Sequence, residues 1–297
     1  CRLVKINFLM VDSSLLQCLQ CGGALRKLGG AVVCKKCEHL YQMDGETIIF
    51  RKPAPDRLRV ISSLNQRDSI ILWIKSQVKK NPFLFDILNL WSGAFIGLSA
   101  KKVVSGFKEG QVVLNLGSGV KKVGPGVINV DYDKFPGVAV VADVCSLPFK
   151  NNSIDVIIAE SLLEHLPQPE VAVAEVCRVL KPRGVFYVVT PFMLGYHASP
   201  RDYYRWTEFG MRELLSSFSV EISGSAWGPT TALTSMLGNW LAIIFSFGHS
   251  LLYQIWLAIF IFIFGPITYL DYIVGKHPRA TDYSHGLYFV ARKNVVT

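Results

Sequence analysis

Five short apolar segments between residues 112 and 190 constrain the fold more than any other feature of this chain. Their apolar residues run continuously instead of alternating with polar ones, which is typical of strands in a parallel sheet that is covered on both faces. A helix is predicted over 169–180, and two further strands are predicted over 219–227 and 285–294. The sequence therefore predicts an α/β protein. The five segments are VVLNL (112–116), VINVD (127–131), VAVVAD (138–143), IDVIIAE (154–160) and GVFYVVT (184–190).

A glycine loop follows the first predicted strand, and an acidic residue ends each of the next three strands. Gly117-Ser118-Gly119 comes directly after the first strand, where glycines let the backbone approach a ligand closely. Asp131 ends the second strand, where a carboxylate can accept hydrogen bonds from both hydroxyls of a ribose. Asp143 and Glu160 end the third and fourth strands. Because ligands bind beyond the carboxyl ends of parallel strands, these positions predict a nucleotide site.

Taken together, these segments resemble class I S-adenosylmethionine-dependent methyltransferases, specifically the subgroup that methylates small molecules and lipids. The resemblance rests on NLGSG, NVD, ADVCSLPF, IDVIIAESLLEHL and EVCRVLKPRG, and it implies a Rossmann-like sheet. It also implies that the glycine loop lines the methionine part of the cofactor, that Asp131 holds the ribose and Asp143 the adenine, and that Glu160 lies beside the sulfonium. The implied cofactor-binding set is Asn115, Gly117, Ser118, Gly119, Asp131, Tyr132, Asp143, Val144, Glu160 and Ser161.

The sequence departs from the family pattern in two places. Asn115 and Lys121 stand where the family usually has an aspartate and a small residue. Only residues 120–126 separate the glycine loop from the second strand, although a parallel crossover normally takes about ten or more residues. We therefore expect the first helix of the family fold to be nearly absent. A nicotinamide-binding fold is disfavoured, because the helix that would meet a pyrophosphate is missing.

The loop after the fifth predicted strand should cover the site. Methyl transfer to oxygen or nitrogen needs a proton acceptor, and His197 and Asp202 are the candidates for this catalytic role. Tyr203, Tyr204 and Arg205 are the candidate substrate-binding residues, the arginine because a guanidinium suits a carboxylate or a phosphate. The alternative is a lid whose aromatic side chains pack and whose charges pair with one another.

Two CxxC pairs lie near the N-terminus in the pattern C-x2-C-x12-C-x2-C. Without a continuous signal-peptide core, this spacing indicates a metal site and not disulfides. Four thiolates from two tight turns match the tetrahedral shell of structural Zn²⁺. The alternatives are a redox pair and a site that has lost its metal. The predicted ligands are Cys18, Cys21, Cys34 and Cys37.

Residues 15–50 also resemble the small zinc-ribbon family that activates tRNA and protein methyltransferases. In that family the second knuckle is followed by a tyrosine and an acid-glycine turn, which Tyr41, Asp44 and Gly45 match. The resemblance implies a scaffold or a partner-binding module and not a catalytic one. We predict three parts: a zinc ribbon (12–52), a linker and helical segment (53–105) and a methyltransferase domain (106–297).

The predicted methyltransferase domain contains an uncharged insert. No Asp, Glu, Lys or Arg occurs from Ile222 to Leu270, and two apolar stretches in this region each approach the ~20 residues that span a bilayer. The flanking strands belong to one sheet, so both ends must emerge on the same side. We expect a hydrophobic helical hairpin over 229–276, before the last strand, that contacts a membrane through 230–274. The alternative is a buried hairpin that covers the sheet or forms a dimer interface.

The net charge of +9 would suit a nucleic acid, a phosphorylated substrate or an anionic membrane surface. A nucleic-acid partner is disfavoured, because no stacking-aromatic RNA-recognition motif accompanies the charge. We expect a cytoplasmic, membrane-associated enzyme that methylates a small or lipid-linked substrate, for instance a glycan or isoprenoid intermediate. Its cofactors would be S-adenosylmethionine and structural Zn²⁺. A catalytically silent binding module and an RNA methyltransferase remain as alternatives.

Overall fold

The structure is a computed structural model that describes residues 11–50, 91, 93–197 and 201–295. Most of the linker and helical segment predicted over 53–105 lies outside the described residues. The described strands are β1 (Leu25–Leu28), β2 (Ala31–Cys34), β3 (Leu40–Asp44), β4 (Thr47–Ile49), β5 (Val113–Leu116), β6 (Val127–Asp131), β7 (Val140–Val141), β8 (Ile154–Glu160), β9 (Leu180–Pro191), β10 (Phe218–Trp227) and β11 (Gly286–Lys293).

These strands form one sheet in the order β1-β2-β3-β4-β7-β6-β5-β8-β9-β11-β10. The first four make an antiparallel meander, and every pairing from β4 to β9 is parallel. β11 then runs antiparallel to both β9 and β10. The seven strands that the sequence predicts correspond to β5–β11, and the Rossmann-like α/β sheet is confirmed.

The central strands are buried on both faces, as their apolar runs predict. In β5, Leu114 and Leu116 belong to one core cluster and Val113 belongs to the other. In β8, Ile157 and Ile158 are divided in the same way. Alternate side chains of a strand point to opposite faces, so a strand that is apolar throughout needs a cover on each side.

Helices from different parts of the chain supply these two covers. Pro169 starts α2 at the first turn, and the helix ends before Pro182, which disfavours helical backbone in the residue before it. The apolar side of α2, including Val173 and Val176, packs in the first core cluster. The described α-helices are α1 (Ala100–Ser105), α2 (Pro169–Val179), α3 (Glu208–Leu214), α4 (Pro229–Phe245), α5 (Ser250–Phe264) and α6 (Asp271–Val274).

The connection between β5 and β6 lacks its usual helix. The structure describes all of residues 117–126 and contains no helix there, which confirms the expectation from the short spacing. The chain before β5 covers this part of the sheet instead. Ala100 of α1 is buried in the second core cluster, where Val103 and Val104 pack beside Val123.

The N-terminal strands, within residues 12–50, are continuous with the parallel sheet. β4 pairs in parallel with β7, with Ile48 opposite Val140. Leu16 forms an isolated bridge with Phe149, and both side chains are fully buried in the first core cluster. The four-stranded meander therefore extends the parallel sheet and shares its core.

The insert between β10 and β11 contains α4, α5 and α6, and its two long helices, α4 and α5, pack against each other. It leaves and rejoins the sheet at Trp227 and Gly286, which pair directly in register. Neither core cluster contains a residue of α4 or α5. One helical run, Ser250–Val274, is long and apolar enough to cross a membrane, with a mean hydropathy of 2.0.

A buried acid fixes the start of α4. Asp271 accepts hydrogen bonds from the backbone N–H groups of Thr230 and Thr231 at 2.7 and 2.9 Å, and from the Thr231 hydroxyl at 2.7 Å. A carboxylate at a helix N-terminus satisfies orphan donors and complements the helix dipole. A side chain at Gly228 would meet Asp271 at 2.5 Å, so the N-cap position has room only for glycine.

Candidate active site

The carboxyl ends of four neighbouring parallel strands gather the predicted cofactor-binding residues at one edge of the sheet. β7, β6, β5 and β8 are adjacent in that order. Asp131 and Glu160 are the last residues of β6 and β8, the glycine loop follows β5, and Asp143 lies two residues beyond β7. The topology therefore brings together positions that the sequence separates by up to 43 residues, from 117 to 160.

The glycine loop has the backbone geometry that its residues require. Gly117 has a φ of +64°, and a Cβ there would meet Leu162 at 2.8 Å. Gly119 has a φ of +52° and open space beside it, so a ligand can approach its backbone. Between them, the buried Ser118 hydroxyl has no hydrogen-bond partner among the described residues. An orphaned buried hydroxyl beside open backbone fits a polar ligand.

Asp131 joins the first two loops. Its carboxylate accepts from the N–H of Gly119 at 2.8 Å and from the N–H of Asp133 at 2.9 Å. Burial raises its pKa, against the lowering effect of these hydrogen bonds. A carboxylate has about four acceptor positions, so two remain for other donors such as ribose hydroxyls. Tyr132 follows it directly, beside the strand end.

Asn115 has a supporting position and does not face the open edge. Its side-chain amide donates to the Asn129 side chain at 3.1 Å and to the Lys121 carbonyl at 3.4 Å. It therefore ties β5 to β6 and holds the turn that carries Lys121. The sequence resemblance places Asn115 in the cofactor site, whereas these contacts indicate that it shapes the site from behind.

The remaining predicted positions complete the edge. Asp143 accepts from the N–H of Cys145 at 2.9 Å, and the adjacent Val144 is buried. Glu160 forms an ion pair with Lys121. Ser161 has a φ of +51°, which is uncommon for a residue other than glycine and is typical of functional sites. The contacts leave oxygens of both Asp143 and Glu160 available to a ligand.

A cavity of about 220 Å³ lies beside the ion pair, between the glycine-loop turn and the segment before β5. This volume is below the ~300–1,000 Å³ of typical small-molecule sites. Of the strand-end acids, Glu160 lines this cavity, whereas Asp131 and Asp143 lie outside its lining. Its lining residues are Phe95, Ser99, Ala100, Lys101, Lys121, Val123 and Glu160.

The loop after β9 pairs its own charges, Asp202 with Arg205, as in the alternative interpretation of this loop as a lid. The Arg205 guanidinium binds both Asp202 oxygens at 2.6 Å and three backbone carbonyls at 2.7–2.8 Å. All five of its N–H donors are thus used. Asp202 also accepts from the His197 N–H at 2.6 Å, and these contacts lower its pKa against the effect of burial. A carboxylate held in this way is a weak base, and its arginine has no donor left for a substrate.

The other predicted residues of this loop keep surfaces toward solvent. Tyr203 is exposed, with its hydroxyl accepting from Arg201 at 3.2 Å. Tyr204 stacks on Trp206 and donates to the Pro167 carbonyl at 3.1 Å. His197 lies near the end of the described part of the loop, before the gap at 198–200.

The sequence interpretation missed two candidate functional residues beside this loop, Glu164 and His285. Glu164 is fully buried, and neither carboxyl oxygen has a hydrogen-bond partner among the described residues. Burial raises its pKa to about 7. Burial also lowers the pKa of His285 to about 4, with the charges of His197 and Arg205 acting in the same direction. Buried titratable groups with displaced pKa values are typical of active sites.

His165 connects Glu164 to the loop. Its Nδ1 lies 2.5 Å from the carbonyl oxygen of Arg201, and a carbonyl can only accept, so Nδ1 carries a proton. Its Nε2 lies 3.9 Å from Glu164 Oε1, and its ring centroid is 5.6 Å from that of His197. The LEH sequence was a signal for this cluster, but sequence alone does not show that Glu164 is buried without a hydrogen bond to its carboxyl group.

The four N-terminal cysteines also meet in space. Their Sγ atoms all lie within 4.8 Å of one another, which fits four ligands around a single metal ion. A hydrogen bond from the Cys37 N–H is the main effect that lowers the pKa of Cys34 to about 6, and this favours a thiolate. A Cβ at Gly23 would meet the Cys34 sulfur at 2.8 Å, so the turn needs glycine.

Comparison with known proteins shows that part of this sheet is similar to a methyltransferase domain. Residues 122–188 match a family model described as a methyltransferase domain. Two proteins of Arabidopsis thaliana, each described as an uncharacterized chloroplastic methyltransferase, are 45% identical over 60 residues and 47% identical over 53 residues. These stretches cover 20% and 18% of this chain. The chain spans only 17% and 15% of the length of these relatives.

A solved structure gives a broader but weaker likeness. It is the Burkholderia thailandensis 1,6-didemethyltoxoflavin-N1-methyltransferase with bound 1,6-didemethyltoxoflavin and S-adenosylhomocysteine. It is 16% identical, covers 88% of this chain and 98% of its own, and has a TM-score of 0.43. At that score the likeness carries no argument about activity. The family match runs through β6, β7, β8 and most of β9, so this part of the chain is similar to a methyltransferase domain.

Proposed function

We propose that this chain is an S-adenosylmethionine-dependent methyltransferase that acts at a membrane surface on a small or lipid-linked substrate. One observation carries the proposal: the glycine loop and the strand-end acids meet at one edge, beside and within the segment that matches a methyltransferase domain. The chain's own residues would hold the reactants in line, and such positioning can supply several kcal/mol of rate enhancement.

The donors and acceptors at this edge fit the proposed cofactor. The Gly117–Gly119 loop would line its methionine part, Asp131 would accept from the ribose hydroxyls, and Asp143 would accept from the adenine amino group. S-adenosylmethionine supplies an electrophilic methyl group on a sulfonium. Tyr132, Val144, Glu160 and Ser161 would form the rest of the boundary. The orphaned Ser118 hydroxyl supports a polar ligand at this place.

We propose His197 as the proton acceptor in preference to Asp202. Asp202 is committed to Arg205, whereas an imidazole can take a proton near neutral pH. The His165 ring lies between Glu164 and His197, 5.6 Å from the His197 ring centroid and 3.9 Å from Glu164, and an ionised Glu164 would stabilise positive charge in this cluster. Tyr203 and Tyr204 would contact the acceptor from the loop. Arg205 would shape that loop instead of binding substrate.

The helical insert supports a membrane role, because its polarity is inverted relative to a water-soluble hairpin. Asn239 and Tyr253 bond to each other between the helices at 2.7 Å, and Gln254 is buried. The outer faces expose large apolar side chains, including Trp240 and Ile243. Polar groups turned inward and apolar groups turned outward are what a bilayer requires.

The placement of the insert supports a lipid-linked substrate. It emerges between Trp227 at the end of β10 and Gly286 at the start of β11. Gly286 also pairs with Pro191 at the end of β9, which is parallel to β8. The insert therefore leaves the sheet at the same edge that carries the strand-end acids, so a membrane at the insert would lie on the side of the active site.

A labelling experiment tests the catalytic proposal. The full chain is incubated with methyl-labelled S-adenosylmethionine and membrane-containing lysate, and the products are separated into lipid, small-molecule, RNA and protein fractions. We expect label in the lipid or small-molecule fraction, and none there with Asp131→Ala. Label confined to RNA would support an RNA methyltransferase. No label and no cofactor binding would support a silent binding module.

Vesicle flotation tests the membrane proposal. Ile243→Glu places a charge on the outer face of α4, where the side chain is 62% exposed, and should reduce flotation. Phe209→Glu is the matched control, because it removes an apolar side chain that is 85% exposed on α3, a helix outside the insert. Full-length protein that stays dispersed without detergent would refute membrane contact and favour a protein interface.

We also propose that Cys18, Cys21, Cys34 and Cys37 bind one structural Zn²⁺. Four converging sulfurs leave no position for a substrate, so the metal would stabilise the N-terminal strands. β1 is the edge strand at this end of the described sheet, and its open edge is where we place a possible protein partner.

A further inference from the structure

The two long helices of the insert are each shorter than the hydrocarbon core of a bilayer. α4 has 17 residues and α5 has 15, which correspond to about 25 and 22 Å at 1.5 Å per residue. The hydrocarbon core is ~30 Å thick. The longer apolar run Ser250–Val274 is not one regular α-helix, because the 3₁₀ segment Gly265–Leu270 separates α5 from α6. The lengths therefore favour a hairpin that enters a bilayer over one that crosses it.

The chain before β5 covers the end of the hairpin that lies nearest the sheet. The Trp91 ring stacks on Phe262 with their centroids 5.1 Å apart, and its indole N–H donates to the Phe262 carbonyl at 3.2 Å. A Cβ at Gly265 would meet the Trp91 carbonyl oxygen at 2.5 Å, and the Ala94 N–H donates to the Thr268 hydroxyl at 3.3 Å. This end of the hairpin is thus held in protein and not in lipid.

The part of the hairpin beyond Trp91 has the depth of one leaflet. A Cβ at Gly238 of α4 would meet Phe260 at 3.5 Å, so Gly238 is nearly level with the contact between Trp91 and Phe262. From Gly238 to Ser246, where α4 passes into the turn, the chain advances about 12 Å at 1.5 Å per residue. One leaflet supplies about half of the hydrocarbon core, or ~15 Å.

This part of the hairpin also has the polarity that hydrocarbon requires, as far as its turn. Phe247 in the turn is 79% exposed, and the turn 246–249 contains no Asp, Glu, Lys or Arg. The Asn239 side chain donates to the Ser235 carbonyl at 2.8 Å and accepts from the Tyr253 hydroxyl at 2.7 Å, so its amide is satisfied inside the hairpin. A turn that emerged on the far side would instead expose Phe247 to water.

The base of the insert carries side chains that suit the headgroup layer. Tyr269 and Tyr272 are 38% and 52% exposed, and tyrosine is enriched where a membrane meets water. Lys276 follows α6 and is exposed. A lysine beside a membrane surface attracts anionic lipids. The insert is therefore apolar toward its turn and becomes aromatic and then basic toward its base.

We propose that the hairpin of α4 and α5 enters a single leaflet of an anionic membrane and returns to the side from which it came. Its turn lies in hydrocarbon, and Lys276 lies at the headgroups. The inference rests on the proposed membrane role and adds the depth of insertion. Because the insert leaves the sheet at the edge that carries the strand-end acids, a lipid-linked substrate would belong to this leaflet and present its acceptor group in the headgroup layer.

Thiol labelling at the turn tests the depth. His249 is exposed, and its side chain makes no capping bond to α5, so His249→Cys places a thiol in the turn without changing the cap. The full-length variant is bound to sealed vesicles of equal parts phosphatidylcholine and phosphatidylglycerol. It is then treated with a membrane-impermeant maleimide or with permeant N-ethylmaleimide. Asp282→Cys, at an exposed position after the insert, is the matched control.

The reagents react with a thiolate, and hydrocarbon disfavours this charged form. We therefore expect both reagents to label residue 249 at least about tenfold more slowly in vesicles than in detergent. Residue 282 should react at the same rate in vesicles and in detergent. Mass spectrometry of the peptides that contain residues 249 and 282 would measure the labelling, because the chain has seven other cysteines.

The other outcomes overturn the inference in distinguishable ways. Rapid labelling of residue 249 by N-ethylmaleimide alone would place the turn in the vesicle lumen, so the hairpin would span the bilayer and the membrane role would stand. Rapid labelling by both reagents on protein that floats with vesicles would show that the turn stays in the outer water. Failure of the unaltered chain to float would refute the membrane role and the leaflet insertion together, while calorimetric binding of S-adenosylhomocysteine would still support the proposed cofactor.

Discussion

Replacing Glu164 with glutamine should stabilise the protein at neutral and alkaline pH. The folded state raises the pKa of Glu164 from 4.5 to about 7 by burying its carboxyl group. The folded state thus holds the proton more tightly than the unfolded state. The contribution of Glu164 to the free energy of unfolding is therefore greatest below about pH 4.5 and is lost as the pH rises through about 7. Glutamine resembles the protonated acid in shape and removes this penalty.

The magnitude follows from the two pKa values. A tenfold change in proton affinity corresponds to about 1.4 kcal/mol, so the ionised acid costs about 3 kcal/mol above pH 7. We expect Glu164→Gln to unfold at higher urea concentration than the unaltered chain at pH 8, and at nearly the same concentration near pH 4. Tryptophan fluorescence of detergent-solubilised full chain would follow the transition.

A second glutamate provides a control with the opposite sign. Hydrogen bonds from Arg178 and from the Leu147 N–H lower the pKa of Glu175, although burial opposes them. Its ionised form therefore stabilises the fold above its unfolded pKa, and Glu175→Gln should destabilise the chain at pH 8. If Glu164→Gln is equally or less stable than the unaltered chain at pH 8, the carboxyl group has a partner and our reasoning is wrong.

Three further predictions follow from other contacts. Chelation of the metal should lower the thermal unfolding midpoint of the whole chain, because the pairing of β4 with β7 joins the N-terminal strands to the rest of the sheet. Elemental analysis should find one zinc per chain, and a fully stable protein without metal would contradict this prediction. Asp131→Ala should weaken calorimetric binding of S-adenosylhomocysteine by about 1.5–3 kcal/mol, and an unchanged Kd would show that the ribose lies elsewhere. Asp271→Asn should lower the melting temperature, because it loses about 1 kcal/mol of helix capping, whereas Asp282→Asn at an exposed position should not. Equal melting temperatures of the two variants would refute the capping role of Asp271.

The sequence alone predicted the elements whose signals are local. The observed bounds of β6 and β8 match the predicted segments 127–131 and 154–160, because a strand buried on both faces must be apolar along its whole length. The missing helix after β5 followed from the spacing, since seven residues cannot hold a crossover helix. The glycine loop was predictable because Gly117 needs a positive φ that other residues rarely adopt.

The tertiary structure decided what depends on pairs of distant residues. Strand β4 joins β7 across some ninety residues, so the N-terminal region belongs to the main sheet, which no local pattern could indicate. The tertiary structure also decided between the two interpretations of charge in the loop after β9 by pairing Asp202 with Arg205, because packing determines which charges meet. Glu164 was inconspicuous in sequence, since an acid's partners and burial are properties of the folded surroundings. The sequence sets which groups are present, and the fold sets which of them remain unpaired and able to react.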